Sequence, residues 1–349
     1  MWKKFGIATG VVAGLVVLLA VSGWGYVRSL DLDREPVADP ATRADDLAFL
    51  AQRVTPPRGR ILAVVSSTAR FPDGERKAGY ELTELSRAYW VFVANGYAVD
   101  IASPRGGEPP MVLDDGLVEA DYAFLNDPAA QAKLADTLPL AQVDASRYRA
   151  VYFVGGKGAM FDFVGNADIA RIVRDIHPRG VVGAVCHGPA ALLGITLADG
   201  RPLLRGRRVT GFSNAEELFL IEDARQRFPS LLQDALSAEG ASFVEAPTYL
   251  DNSVADGRLV TGQNPWSTWS TAEAMIRALG HTPVPRETTP EEHSVRLLIT
   301  YHARGLDEAL AQKRTLPRSD KRLLLMHAVV AAMQWRLGQA WQLQRLARA

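Results

Sequence analysis

A single cysteine, Cys186, is present in 349 residues. No intrachain disulfide can form, and no Cys/His zinc pattern is available. Histidine is scarce as well. Six are scattered along the chain without an HExxH-type pair, so a metal site has little support. Charge of one sign is not in excess either. Lys plus Arg and Asp plus Glu each number 39, so no global field draws the chain to nucleic acid. The apolar fraction of 48% is ordinary for a globular protein and allows a sizeable core.

What is there centres on that one cysteine. The run Gly183-Ala184-Val185-Cys186-His187-Gly188-Pro189-Ala190-Ala191-Leu192-Leu193 leads an apolar strand into Cys186. A Gly-Pro pair follows, and a helix is expected after it. Such a strand-to-helix turn is a nucleophile elbow, which presents one reactive side chain above a sheet. Pro189 suits the first helical turn, and Gly188 allows a tight bend. The N–H groups and dipole of the new helix would stabilise a thiolate, with a pKa brought from ~8.5 to between about 3.5 and 7.5. The alternative is a buried, inert cysteine.

The N-terminus carries the one long apolar run. Phe5 to Tyr26 is uncharged, follows Lys3 and Lys4, and is long enough to span a bilayer. Trp2 at one end, and Trp24 and Tyr26 at the other, fit interfacial aromatic belts. The lysines place the N-terminus in the cytoplasm. The expected location is therefore a single-pass inner membrane protein with its main domain periplasmic. A cleaved signal peptide is the alternative, with Ala20-Val21-Ser22 as a loose cleavage site. Gly6, Gly10 and Gly14 share one helix face and would let two copies approach as a homodimer. The α/β domain is the other candidate dimer surface.

The expected organisation is an anchor over 1–30, a polar linker over 31–57, an α/β domain over 58–285 and a helical extension over 286–349. Segments 61–65, 97–103, 151–154, 181–185, 208–212 and 258–261 read as strands, with short apolar runs at 61–65, 151–154 and 181–185. Helical spacing fills 79–94, 168–175, 216–227, 230–239 and 268–279. This alternation predicts a doubly wound, mostly parallel sheet with helices on both faces. The site is expected at the carboxyl ends of the strands, where Cys186 and the turn Gly155-Gly156-Lys157-Gly158 both fall. Beyond Arg286 strand signals stop. Leu297, Leu298 and Tyr301 mark an amphipathic face, expected to pack on the main domain, with a membrane-surface or dimer contact as the alternative.

The segments VYFVGGKGAMFDF (151–163), VVGAVCHGPAALL (181–193), RVTGFSNAEE (208–217) and GRLVTGQNPWST (257–268) resemble the ThiJ/PfpI superfamily. GYELTELSRAYWVFVANGYAVDIASPRGG (79–107) fits its branch of glutathione-independent glyoxalases and holding chaperones. The resemblance spans roughly 60–280 and implies a flavodoxin-like, class I glutamine amidotransferase-like fold. It implies Cys186 as nucleophile, His187 beside it, Glu84 as the carboxylic acid on the sulfur and Glu217 as the residue orienting the histidine. It also implies backbone oxyanion donors at Gly155, Gly156 and His187. The alternatives are a solvated Glu84, a dipole-only Glu217 and orientation by Glu216 instead. Lys157 replaces the branch's usual histidine, Ala88 its proline, and Leu113-Asp114-Asp115-Gly116 its Asp-Pro-x-Ser stretch. Lys157 is thus a pocket residue suited to anionic substrates.

The activity implied is conversion of small reactive carbonyls such as methylglyoxal to a hydroxy acid, with neither glutathione nor metal or other cofactor. A related hydrolase or deglycase, a membrane-tethered holding chaperone, a redox sensor and a cysteine peptidase are the alternatives. A glutaminase of this fold needs a His-x-Glu or His-x-Asp triplet after the cysteine. None of His187, His281, His293, His302 and His327 heads one.

Overall fold

The computed structural model describes residues 24–26, 28–114 and 116–349. The expected span over Phe5–Tyr26 lies outside these except for its last three residues, and Gly6, Gly10 and Gly14 lie wholly outside. Among the described residues no helix is long and apolar enough to cross a membrane.

Eleven strands are present among the described residues: β1 (Gly59–Val64), β2 (Tyr80–Glu81), β3 (Tyr97–Ser103), β4 (Met111–Val112), β5 (Leu138–Pro139), β6 (Ala150–Phe153), β7 (Val181–Val185), β8 (Arg208–Val209), β9 (Ser242–Phe243), β10 (Ser253–Asp256) and β11 (Leu259–Gly262). Seven of them form one sheet in the order β10-β11-β7-β6-β1-β3-β5. All its pairings are parallel except β10 with β11. Every residue of β6 and β7 is buried, as expected of parallel strands covered on both faces. Tyr152 and Gly183 are register partners and share a face. Tyr152 meets Phe92 of the helix Leu82–Ala94 edge-on at 5.5 Å. A Cβ on Gly183 would lie 2.1 Å from Met275 Sδ of the helix Thr268–Ala278. Phe153 points the opposite way and packs on Phe163 at 5.8 Å. The doubly wound layering is thereby visible in single residues.

Several elements differ from expectation for local reasons. The helix expected from 79 starts at Leu82, because Tyr80–Glu81 pairs with β4 instead. The strand expected over 208–212 shrinks to β8, which pairs with β9 outside the main sheet. Beyond it, Thr210 N–H donates to Thr261 Oγ1 at 2.9 Å and Phe212 N–H to the Cys186 carbonyl at 2.8 Å. The helix expected over 216–227 breaks at Ile221, whose backbone is extended, into Asn214–Leu220 and Ala224–Arg227.

Two compact units divide the chain: residues 38–287, and residues 24–37 with 288–349. The segment expected as a linker is therefore shared. Val54 N–H donates to the Ala94 carbonyl at 2.9 Å, while Arg322 donates to the Leu32 carbonyl at 3.1 Å. The extension forms four helices, Pro290–Arg304, Leu306–Lys313, Lys321–Met333 and Leu337–Arg348, which pack on one another. Leu297, Leu298 and Tyr301 are buried within that unit, and Tyr301 Oη donates to Gln342 Oε1 at 2.7 Å.

Candidate active site

Parallel strands bring their carboxyl ends to one edge. β6 delivers Gly155–Gly158 there, β7 delivers Cys186, and β11 closes the far side. Cys186 N–H donates to the Gly262 carbonyl at 3.0 Å and its own carbonyl accepts from Phe212. The main chain is thus tied on both sides of the turn. Cys186 takes φ +58, the left-handed region that L-residues avoid. Such strain persists only where the surroundings over-determine it, and it is characteristic of functional turns.

The glycine after the elbow plays a different part from the expected bend. A Cβ on Gly188 would lie 2.2 Å from the Phe153 carbonyl oxygen, so glycine is needed for close approach to β6. Gly188→Ala is expected to cost about 1–3 kcal/mol by overpacking, read as a lower urea midpoint. The helix expected beyond it is a correction. Only a five-residue 3-10 turn, Gly188–Leu192, forms there. Its dipole is correspondingly short, and the thiol does not follow the expected drop in pKa. Burial pushes the Cys186 thiol well above its ordinary value, and the Glu84 carboxylate beside it pushes the same way. The Gly156 N–H directed at the sulfur works against both.

The other sequence-derived residues converge on this sulfur. Glu84 lies in the first turn of Leu82–Ala94, fully buried and hydrogen-bonded to the thiol. One carboxylate oxygen accepts from Gly155 N–H at 2.7 Å. His187 Nδ1 lies 3.3 Å from Sγ, and His187 Nε2–H donates to Glu217 Oε2 at 2.6 Å. That bond fixes the tautomer, leaving Nδ1 as an acceptor toward the thiol. Phe212 and Phe228 cover the imidazole at 4.7 and 6.0 Å between ring centroids.

The neighbouring glutamates separate cleanly. Glu216 accepts from Ser213 N–H at 2.9 Å as part of a capping box, from Tyr249 N–H at 2.8 Å, and from the Gln263 and Asn264 amides at 3.1 and 2.8 Å. It organises the scaffold, and Glu217 holds the histidine. The expected glycine donors also separate. Gly156 N–H addresses the sulfur, whereas Gly155 N–H is engaged by Glu84.

Lys157 projects at the same turn and pairs with Asp114 at 2.5 Å. Burial works against its charge, but Asp114, with Cys186 and Glu217 beyond, holds its pKa above the ordinary value. Sequence reasoning missed two participants. Asp114 was visible only as a departure from a motif, with nothing to tie it to Lys157. Tyr152 read as a core strand residue, yet its hydroxyl donates to the Glu84 carbonyl at 2.9 Å. Among the described residues no cluster of His, Cys, Asp or Glu could hold a metal ion.

A model of the DJ-1/PfpI family matches residues 77–278, which include Glu84, the glycine turn, the elbow and Glu217. The chain belongs to the DJ-1/PfpI family. Within it, the chain is 34% identical over 235 residues to Glutathione-independent glyoxalase HSP31 of Saccharomyces cerevisiae, covering 64% of this chain and 98% of that protein. Glyoxalase 3 of Candida albicans is 30% identical over 228 residues, covering 62% and 97%. Among solved structures, glyoxalase III from Candida albicans superposes with a TM-score of 0.58 at 29% identity, covering 63% of this chain and 97% of that one. Rapid Encystment Protein 24 KDa from Francisella tularensis gives 0.59 at 32%, covering 63% and 99%. The DJ-1/PfpI match ends at residue 278, before the helices of the second unit begin.

Proposed function

We propose that this chain is a glutathione-independent glyoxalase that converts methylglyoxal, or a related small α-oxoaldehyde, to the corresponding 2-hydroxy acid. The observation that carries this reading is the convergence of Glu84 and His187 on one buried sulfur held in a left-handed elbow. The relatives' glyoxalase activity supports it.

Cys186 supplies the nucleophile. Its proton passes to His187 Nδ1 or Glu84 as Sγ bonds to the aldehyde carbon, and the aldehyde oxygen takes a proton to give a hemithioacetal. The Glu84 carboxylate then removes the hydrogen on that carbon as a proton, the electron pair forms the enediolate, and the hydroxyl proton passes from the first oxygen to the second. The same proton returns to the adjacent carbon, leaving a hydroxyacyl thioester on sulfur. Water adds to the thioester and the C–S bond breaks, releasing lactate and the free thiol. Atoms and electrons balance with water as the only co-reactant. Main-chain N–H groups of Gly156 and His187 are the donors proposed for the developing oxyanion.

Glu217 acts through His187 as a positioning residue. Lys157, paired with Asp114 at the same turn, places a polar ion pair rather than a free positive charge beside the sulfur. The test is direct: purified protein, methylglyoxal and no glutathione, with lactate measured enzymatically. Lactate formed in step with methylglyoxal loss is the expected result. Loss of methylglyoxal without lactate, or no loss at all, would overturn the reading.

A further inference from the structure

The helical unit carries an exposed apolar surface where its last two helices meet. Val329, Met333, Trp335, Leu337 and Trp341 are all exposed, and Trp335 reaches 86%. They fall within thirteen residues spanning the end of Lys321–Met333 and the start of Leu337–Arg348. Trp335 occupies the turn between the helices at φ +60. The opposite face of Leu337–Arg348 is fully used, with Ala340, Leu343, Leu346 and Ala347 buried. Leu337 and Trp341 are one helical turn apart and form a stripe on the free side.

Two further observations say what this surface meets. Residues 313–349 contain eight Lys or Arg and one acidic residue, Asp320. Arg336, Arg345 and Arg348 are exposed beside the apolar stripe. Exposed tryptophan bordered by arginine is the composition of a membrane interface, where the ring sits at headgroup level and the guanidinium meets anionic lipid. The far end of the same helix is tied to the chain where the N-terminal apolar run ends. Arg348 donates to Ser29 Oγ at 3.0 Å and its guanidinium lies over the Tyr26 ring at 5.0 Å. Arg28 covers exposed Trp24 at 4.6 Å. The run that closes at Tyr26 has the length and composition of a bilayer-spanning segment.

We propose that the helical hairpin around Trp335 lies on an anionic bilayer surface, with Trp335, Leu337 and Trp341 in the headgroup region and Arg336 and Arg345 on lipid phosphates. A second copy of the chain fits less well. A two-fold contact through this face would set the basic segment 313–349 against its own copy, with a single acidic residue in the segment to offset the charge. The inference concerns the helical unit and stands whether or not the glyoxalase reading does.

The test uses the full chain with vesicles of phosphatidylcholine and phosphatidylglycerol that carry lipid brominated near the carbonyl. Trp335→Phe/Trp341→Phe is compared with the parent protein. Both positions are exposed, so the substitutions remove no buried packing. The expected result is bromolipid quenching in the parent whose larger part disappears in the double variant. Equal quenching in the two, attributable then to Trp2 and Trp24, would overturn the proposal. Hydrogen exchange across residues 329–341 gives a readout without substitution. Slower exchange is expected with anionic than with purely zwitterionic vesicles, and unchanged exchange counts against the proposal. Lipid-free self-association abolished in the double variant, together with equal quenching, would assign the face to a second copy instead.

Discussion

Cys186→Ala is expected to abolish lactate formation, with kcat/KM falling on the order of 10^4-fold or more. The size of the effect follows from the absence of any substitute. No other thiol exists in the chain, and the hemithioacetal and the thioester both require the same sulfur. Alanine leaves the Glu84, His187 and Gly156 groups in place, but these have no covalent anchor for the substrate. The check is a lactate assay beside a urea midpoint, so that a loss of folding is separated from a loss of chemistry. Residual turnover within tenfold of the parent would show that the carbonyl is handled without covalent capture.

Glu84→Gln is expected to lower turnover by about 10^2–10^4-fold, the usual contribution of a general acid–base group, while making the thiol more reactive. The two effects have opposite signs because the carboxylate does two things. It carries the proton between carbons, and its negative charge raises the Cys186 pKa together with burial. An amide keeps the shape and can still accept the Gly155 N–H, but it neither carries charge nor shuttles protons. Alkylation by a small reagent such as iodoacetamide at neutral pH is therefore expected to be faster in the variant than in the parent. A purely structural role would slow turnover without accelerating alkylation. In the parent, alkylation rises with pH through the raised thiol range. Stability moves the other way. The native thiol holds its proton more tightly than the unfolded one, so its contribution is fully present below the unfolded thiol's titration range and is lost as pH rises from there through the raised native range.

The legible part of the fold was the part written in short range. β3 and β7 match their expected bounds residue for residue, because each ends abruptly, at Pro104 and at the elbow, and β7 is a continuous apolar run. The helix Thr268–Ala278 likewise falls within one residue of its periodic pattern. What the pattern misplaced was set by distant partners. The 208–212 segment reads locally as a strand, but Thr261 Oγ1 and the Cys186 carbonyl take its Thr210 and Phe212 donors. The helical extension was legible as helix and not as a separate unit, since amphipathic faces do not say which neighbour covers them.

The site divides in the same way. Cys186 and Gly188 announce themselves through the elbow pattern, whereas Glu84 and Glu217 entered through resemblance. Nothing local marks Glu84 as buried, and the choice between Glu216 and Glu217 depends on helix phase that only the assembled chain fixes. The direction of the thiol pKa was missed for a related reason. A dipole is suggested by a Gly-Pro turn, but the burial and the neighbouring carboxylate that outweigh it come from other segments. Tyr152 and Asp114 were beyond reach because each acts through a single contact across the fold.

Two glutamates in a row suggest insurance, and the geometry removes it. Successive residues on a helix point about 100° apart, so Glu216 turns into the cap and the amides while Glu217 turns to the imidazole. Neither can cover for the other's loss, since reaching the other's partners would require the helix to rotate and abandon its own. Duplication in the sequence here is not redundancy in the molecule. The pair is two single points of failure, one for the integrity of the scaffold and one for the aim of the histidine, set side by side in the chain.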